Sequence, residues 1–410
     1  MRHRLAPLVA LALLLVLALA APAAQAVDRA GLRSTLATLQ PRMGTSSAAY
    51  VVDMTTGDQI YASRPDLPLA PASNEKLFVT SAALMRFGPT DTLATTLRTA
   101  PGVAVDADGV LRGDLYLVVG GDPTLGDAGL AQLVTQLADQ GVRRIDGAVI
   151  GDESLFDSLR GEPDSGYKPD GDLGGWLSAL SWDHGAAGTG SPARAAATKL
   201  AALLKARKIT YDRKPRAGTM RAPAGTDAAA DPPPLATAPS PTIGALIAAT
   251  NIPSENFYAE MLAKGLGARF GANGSTAAGL AVVREQLASL GIHPKMVDGS
   301  GLSRSDRTTP RQIVRLLQRM AAQDTAATWT ASLPVAGKSG TLASRMRGTA
   351  AAGRCQGKTG TLIGVSALSG YCTTTGGVRV AYSLLENKVC NSCAKAIEDR
   401  MVSAIARLDG

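Results

Sequence analysis

In the stretch Pro71-Ala72-Ser73-Asn74-Glu75-Lys76, a serine stands one turn ahead of a lysine, directly before the run Leu77 to Met85. A proline, a small polar residue and then a glutamate ahead of good helix formers mark a helix start. Positions three apart share one face of a helix, so the Ser73 hydroxyl and the Lys76 amine can approach each other. Serine is a poor nucleophile until a base takes its proton, and a neutral lysine can be that base. Free N–H groups at a helix start can stabilise a developing oxyanion. The spacing alone does not separate this chemistry from a serine helix cap beside a solvated lysine. Ser165 with Lys168 and Ser392 with Lys395 repeat it elsewhere. The rest of the chain has to decide.

The N-terminus narrows the setting. Arg2 and Arg4 precede a Leu, Ala and Val run over Leu8 to Ala20, and Ala24-Gln25-Ala26 follows. A basic start, an apolar middle and an Ala-x-Ala end describe a secretory signal peptide, residues 1–26, cleaved after Ala26. No later segment reaches the ~18 unbroken apolar residues of a membrane span. The expected mature protein is exported, to a periplasm or an extracellular cell envelope, with membrane contact at most peripheral. The formal charge of +8 falls to +6 without Arg2 and Arg4 and forms no block, and aromatic residues are 4%. That excludes the basic stripe with stacking residues expected of a nucleic-acid binder.

Cys355, Cys372, Cys390 and Cys393 all lie in the last quarter. In an exported chain they read as disulfides. The expected pairing is Cys355 with Cys372 across adjacent strands and Cys390 with Cys393 locally. A four-thiolate zinc site is the rival, but Cys355 and Cys372 lack a knuckle spacing to match Cys390-x-x-Cys393. Beyond the leader the histidines are His184 and His293, both in loop-like surroundings without metal-ligand or triad neighbours. Neither a metal nor a cofactor is expected.

Along the chain, Ser47 to Asp53 and Gln59 to Ser63 read as a strand pair around the turn Thr55-Thr56-Gly57-Asp58. From about Thr90 strands alternate with helical patterns, which suggests an inserted α/β unit. Ala217 to Pro241, rich in Ala, Pro and Thr, reads as a linker or extended crossing. Helical periodicity returns from Ile243, and strands follow from Gly353 to Glu386 before a closing helix. Strands at both ends with helices between suggest that the first and last parts fold together.

Two motifs answer Ser73-x-x-Lys76 in chain order. Ser254-Glu255-Asn256 stands at a loop-to-helix boundary after Pro253, where its bland reading is a cap. Lys358-Thr359-Gly360-Thr361 lies on a strand pattern continuing into Val365 to Tyr371. Lys338-Ser339-Gly340-Thr341 is a decoy for the third motif, set aside because loop-like residues follow it. The ordered set resembles the signature of serine β-lactamases and penicillin-binding proteins. More closely, the chain resembles the low-molecular-mass class C penicillin-binding proteins, the D-alanyl-D-alanine carboxypeptidase/endopeptidase group. The resemblance also covers Gly120-Gly121-Asp122-Pro123-Thr124-Leu125, Asp298-Gly299-Ser300-Gly301-Leu302-Ser303 and Leu333 to Gly337. Glu255 departs from the usual aspartate. The span from His184 to Ser254 is short where the family carries a further domain.

The resemblance implies an α/β fold of the serine β-lactamase/D,D-peptidase type, an antiparallel sheet with helices on both faces plus a helical region. It implies a penicillin-binding domain at 27–90 and 240–410 and a smaller, reduced inserted α/β domain with linker at 91–239. It further implies that Ser73 attacks, Lys76 is the base, Ser254 relays a proton and Asn256 holds Lys76 and a substrate amide. Lys358 would favour neutral Lys76 through its charge, and Thr359, Gly360 and Thr361 would line the substrate's carboxylate end. Asp122 would meet a stem-peptide amine or serve its own turn. The implied partners are peptidoglycan stem peptides and β-lactam antibiotics. A β-lactamase, which lacks its usual loop glutamate here, and a catalytically silent wall-binding protein are the competing readings.

Overall fold

The computed structural model describes residues 26–185, 190–221 and 233–410. Apart from Ala26, the expected leader lies outside the described residues. Among those residues, no helix is long and apolar enough to cross a membrane. In chain order the strands are β1 (Ser47–Asp53), β2 (Gln59–Ser63), β3 (Thr95–Thr99), β4 (Val110–Leu111), β5 (Leu115–Val119), β6 (Arg144–Asp152), β7 (Thr210–Ala217), β8 (Ala236–Ala238), β9 (Cys355–Leu362), β10 (Val365–Thr373) and β11 (Arg379–Asn387).

The two ends of the chain build one antiparallel sheet in the order β2-β1-β11-β10-β9. Strand β1 runs against β11 from Ser47 opposite Glu386 to Asp53 opposite Val380. The period-two alternation of these strands sends apolar side chains to both faces. Ala49, Val51, Leu368 and Leu384 pack on one face with Leu32 and Leu36 of helix Arg29–Leu39 and Met401 and Ile405 of helix Asn391–Ile405. Ala48, Val52, Ala367 and Leu385 point the other way, into a larger core with Phe78, Leu246, Leu262, Leu317 and Trp329. Each such leucine or phenylalanine contributes about 1.5–3 kcal/mol by leaving water. Helix Lys76–Phe87 runs through that second core. Lys76 to Leu84 are all buried, which is why the helix lacks the polar stripe of a surface helix.

Both cysteine pairs are disulfides. Cys355–Cys372 joins directly opposed residues of β9 and β10, and Cys390–Cys393 sits at the start of the last helix. The thiolates a zinc site would need are therefore consumed.

Residues 95–238 carry a second sheet, β4-β6-β5-β3-β8, with β7 beside β6. Its core of Leu97, Leu117, Leu133, Val149 and Leu200 continues onto Phe257 and Met261 of helix Asn256–Phe270. The stretch expected to be a linker or extended crossing, Ala217 to Pro241, contains β8, whose Ala236 to Ala238 pair with Leu97 to Thr95. Two alanines and a threonine carry little strand signal. Pairing with β3 supplies the order that local propensity does not.

Candidate active site

Ser73 lies in a 3-10 turn, Ala72–Glu75, and the α-helix begins only at Lys76. Side chains three apart stack almost directly in a 3-10 turn, which aligns Ser73 with Lys76 more closely than the expected α-helical start would. Ala72, at φ +45°, holds a left-handed backbone that disfavours a residue with a Cβ. Such strain persists where surrounding structure over-determines it. Strand β9 lies tightly against this turn. A Cβ on Gly360 would meet the Pro71 carbonyl oxygen at 2.6 Å, so only glycine allows this approach.

Lys76 is completely buried, with its Nζ 2.8 Å from Ser73 Oγ, 2.6 Å from Asn256 Oδ1 and 2.6 Å from the Ser300 carbonyl oxygen. Two of these partners are oxygens that cannot donate. A neutral amine has two N–H groups and one lone pair. The N–H groups match Asn256 and Ser300, and the lone pair then faces the one partner with a proton to give, Ser73. Burial lowers the Lys76 pKa to about 8, while Asp298, Glu260, Glu255 and Glu75 push it back up. Burial, not the charge of Lys358, is thus the leading cause that eases the loss of the Lys76 proton.

The second motif does not cap its helix. Glu255 occupies the N-cap, and Ser254 stands outside it at φ +71°. Ser254 Oγ accepts a hydrogen bond from Lys358 Nζ at 2.7 Å. Lys358, buried on β9, also donates to the Thr359 carbonyl oxygen at 2.9 Å. Burial and then the charge of Lys76 hold its pKa well below the ordinary lysine value. The decoy Lys338 is exposed beside Gly353.

Asn256 uses both ends of its amide. Its Oδ1 faces Lys76, and its Nδ2 donates to the Asp172 carbonyl oxygen of the inserted unit at 2.6 Å. Asp164 of the same loop accepts from Ser303 Oγ at 2.8 Å, so the inserted unit touches the residues around the site at two points. Asp122 is also buried in the inserted unit, but Oδ1 is held by Thr124 N–H at 2.8 Å and Thr124 Oγ1 at 2.7 Å. Burial raises its pKa. Among the described residues no hydrogen bond joins Asp122 to the lysine and serine group. His184 stacks on Phe257 at 4.8 Å between ring centroids and stands outside that group.

Residue-by-residue reading missed the acidic groups behind Lys76. Glu260 Oε1 accepts from Gly299 and Ser300 N–H groups, both at 2.8 Å, and so holds the two peptides just before the Ser300 carbonyl that meets Lys76. Asp298 Oδ1 accepts from Gly301 N–H at 2.7 Å and Oδ2 from Ser303 N–H at 2.6 Å. Glu75 is fully buried, and neither carboxyl oxygen has a hydrogen-bond partner. Burial, and then Asp306, Asp298 and Glu260, raise its pKa well above the ordinary value, against the opposing charge of Lys76. One signal was available for Glu260, which lies four residues after Asn256 on the same helix face.

The sequence profile of the D-Ala-D-Ala carboxypeptidase 3 (S13) family matches residues 30–171 and 192–408. A D-alanyl-D-alanine carboxypeptidase of Actinomadura sp. is 32% identical over 450 aligned positions, covering 90% of this chain and 82% of that one. Carboxypeptidase DacB of Mycolicibacterium smegmatis is 29% identical, covering 90% and 83%. Among solved structures, penicillin binding protein 4 (dacB) from Haemophilus influenzae superimposes with a TM-score of 0.76 at 19% identity, covering 90% of this chain and 99% of that one. The same protein complexed with a β-lactam gives 0.72 at 20% identity, covering 91% and 99%. At these identities the structural likeness speaks for the fold, which is that of the serine D,D-peptidases.

Proposed function

This chain belongs to the D-Ala-D-Ala carboxypeptidase 3 (S13) family, and on that premise we propose that Ser73 is the nucleophile of a serine D,D-peptidase acting on peptidoglycan stem peptides. The observation that carries the assignment is the environment of Lys76. It is a buried amine with two acceptor-only partners and one hydroxyl. Neutral Lys76 takes the Ser73 proton as Oγ attacks the carbonyl of the penultimate D-Ala. Protonated Lys76 passes that proton through Ser254, itself hydrogen-bonded to Lys358, to the departing amine of the terminal D-Ala, and so becomes neutral again. Water then cleaves the ester on Ser73, with Lys76 again available as base.

Two backbone N–H groups stabilise the oxyanion, those of Ser73 and Thr361. Support for Thr361 comes from strand alternation. The Cys355 carbonyl and the Gly357 N–H point away from β10, toward residues 334–336. By the two-residue period, Thr359 and Thr361 present their backbone groups to the same open edge. The Lys358 charge and the Thr359 and Thr361 hydroxyls attract the terminal carboxylate. A β-lactam carries a reactive amide and a carboxylate in a similar relation, and so acylates Ser73. Asn256 binds a substrate amide through Nδ2. We take residues 27–90 and 240–410 as the catalytic unit and 91–239 as the inserted one, a division supported by their separate sheets. The basic, apolar, Ala-x-Ala start supports export to the cell envelope, where the substrate lies.

The test is intact mass after incubation with benzylpenicillin, on wild type and Ser73→Ala, beside an assay of D-Ala release. A stable adduct on wild type alone, with D-Ala release lost in the variant, is the expected result. Hydrolysed drug without an adduct would favour a β-lactamase. Intact drug, no adduct and no D-Ala release would favour a silent wall-binding protein.

A further inference from the structure

The decoy motif Lys338-Ser339-Gly340-Thr341 takes no part in the chemistry above, yet it lies against the site. The segment before it runs along the free edge of β9. Ala336 N–H donates to the Cys355 carbonyl and Gly357 N–H to the Pro334 carbonyl, both at 2.9 Å. This strap covers the start of β9 and leaves Lys358 to Leu362 uncovered. It then turns inward. Ser339 Oγ accepts from Val335 N–H at 2.9 Å. Gly340, at φ +52°, passes so near Ile252 that a Cβ would meet the Ile252 carbonyl oxygen at 2.2 Å. Thr341 N–H donates to that carbonyl at 3.2 Å, two residues before Ser254. The Thr341 hydroxyl meets the Thr359 hydroxyl at 2.8 Å.

Each hydroxyl has a single proton. Thr359 cannot donate to Thr341 and to an arriving carboxylate together. A carboxylate only accepts, so once it is bound Thr359 donates to it and Thr341 donates to Thr359. A hydroxyl that receives a hydrogen bond is polarised into a better donor, and a bond to a charged acceptor is stronger than a neutral one. We infer that Thr341 is a positioning residue, aiming and polarising the Thr359 hydroxyl toward the substrate's terminal carboxylate. This rests on the reading that Thr359 meets that carboxylate. Through its N–H the same residue also ties β9 to the turn that carries Ser254.

The experiment compares an N-acyl-D-Ala-D-Ala peptide with its C-terminal carboxamide on wild type, T341V, T341S and T359V. The readout is the ratio of kcat/KM for the acid to that for the amide. T341V keeps the backbone N–H and the side-chain shape but loses the hydroxyl. It should lower kcat/KM for the acid by roughly tenfold, the usual scale for a hydrogen bond to a charged group, with little change for the amide. T341S should restore the wild-type ratio, and T359V should reduce it at least as far as T341V. Should T341V not fold, T341A carries the same prediction. Equal losses on acid and amide in the Thr341 variants would mean a purely structural role and overturn the inference. A lowered ratio in T359V beside an unchanged one in T341V would also overturn it, while leaving the carboxylate reading intact. An unchanged ratio in T359V would remove that reading and the inference with it.

Discussion

Glu260→Gln should move the pH dependence of acylation toward acid. The substitution is nearly isosteric. Glu260 makes both of its hydrogen bonds through Oε1, and Oε2 is buried without a partner, so a glutamine can keep the Gly299 and Ser300 bonds. What it loses is the ability to become negative. Glu260 and Lys76 both titrate near pH 8, Glu260 raised by burial and then Asp298, Lys76 lowered by burial. They share the choice between a neutral pair and an ion pair, and an apparent value belongs to the pair. The Ser300 backbone, from its N–H to its carbonyl, and two hydrogen bonds separate them, ~7 Å. At an effective dielectric of about 20, two unit charges at that distance interact by about 2 kcal/mol. That equals a change in Lys76 affinity for its proton of somewhat more than tenfold. In Glu260→Gln the ion pair no longer exists, and Lys76 should lose its proton at a lower pH than in the wild type. The assay is the second-order rate constant for acylation by a fluorescent penicillin across pH 5.5 to 9.5. In wild type the rate should rise with pH through the region near 8, because the neutral amine is the base. In the variant the rise should come earlier. An unmoved limb, or one displaced to higher pH, would refute the claim that the Glu260 charge helps to hold the proton on Lys76.

Two predictions concern stability. Glu75→Met should stabilise the protein by about 1–3 kcal/mol, because it replaces a buried carboxyl without partners by an apolar side chain of similar length. Since burial raises Glu75, the native state keeps a proton that the unfolded chain releases above the ordinary value of 4.5. Stability is therefore lost as pH rises from that value through the folded one, and denaturant titrations should show a larger gain at pH 8 than at pH 4. Removing the Cys355–Cys372 bridge, at a sequence separation of 17, should cost about 3 kcal/mol by chain entropy. Removing Cys390–Cys393, at a separation of 3, should cost about 2 kcal/mol, and paired serine variants compared by thermal melting would order the two.

Local sequence determined the features whose physics is local. A proline, a serine and a lysine three apart mark a helix start with two side chains on one face, because helical geometry repeats over three to four residues. The strand pattern around Lys358, the cysteines facing each other on β9 and β10, and the closing helix were legible for the same reason. Tertiary structure decided the rest. Lys76 finds the Ser300 carbonyl across 224 residues, and a main-chain partner of that kind leaves no mark on residue identity. Ser254 reads as a cap but stands at φ +71°, beside a turn held at Ile252 by the distant Gly340 and Thr341. β8 forms in an Ala/Pro-rich stretch because β3 offers it a partner. The basicity of Lys76 is decided the same way. A lysine in sequence is a charge, and only burial from every side, by segments far apart in the chain, makes it a base near neutral pH.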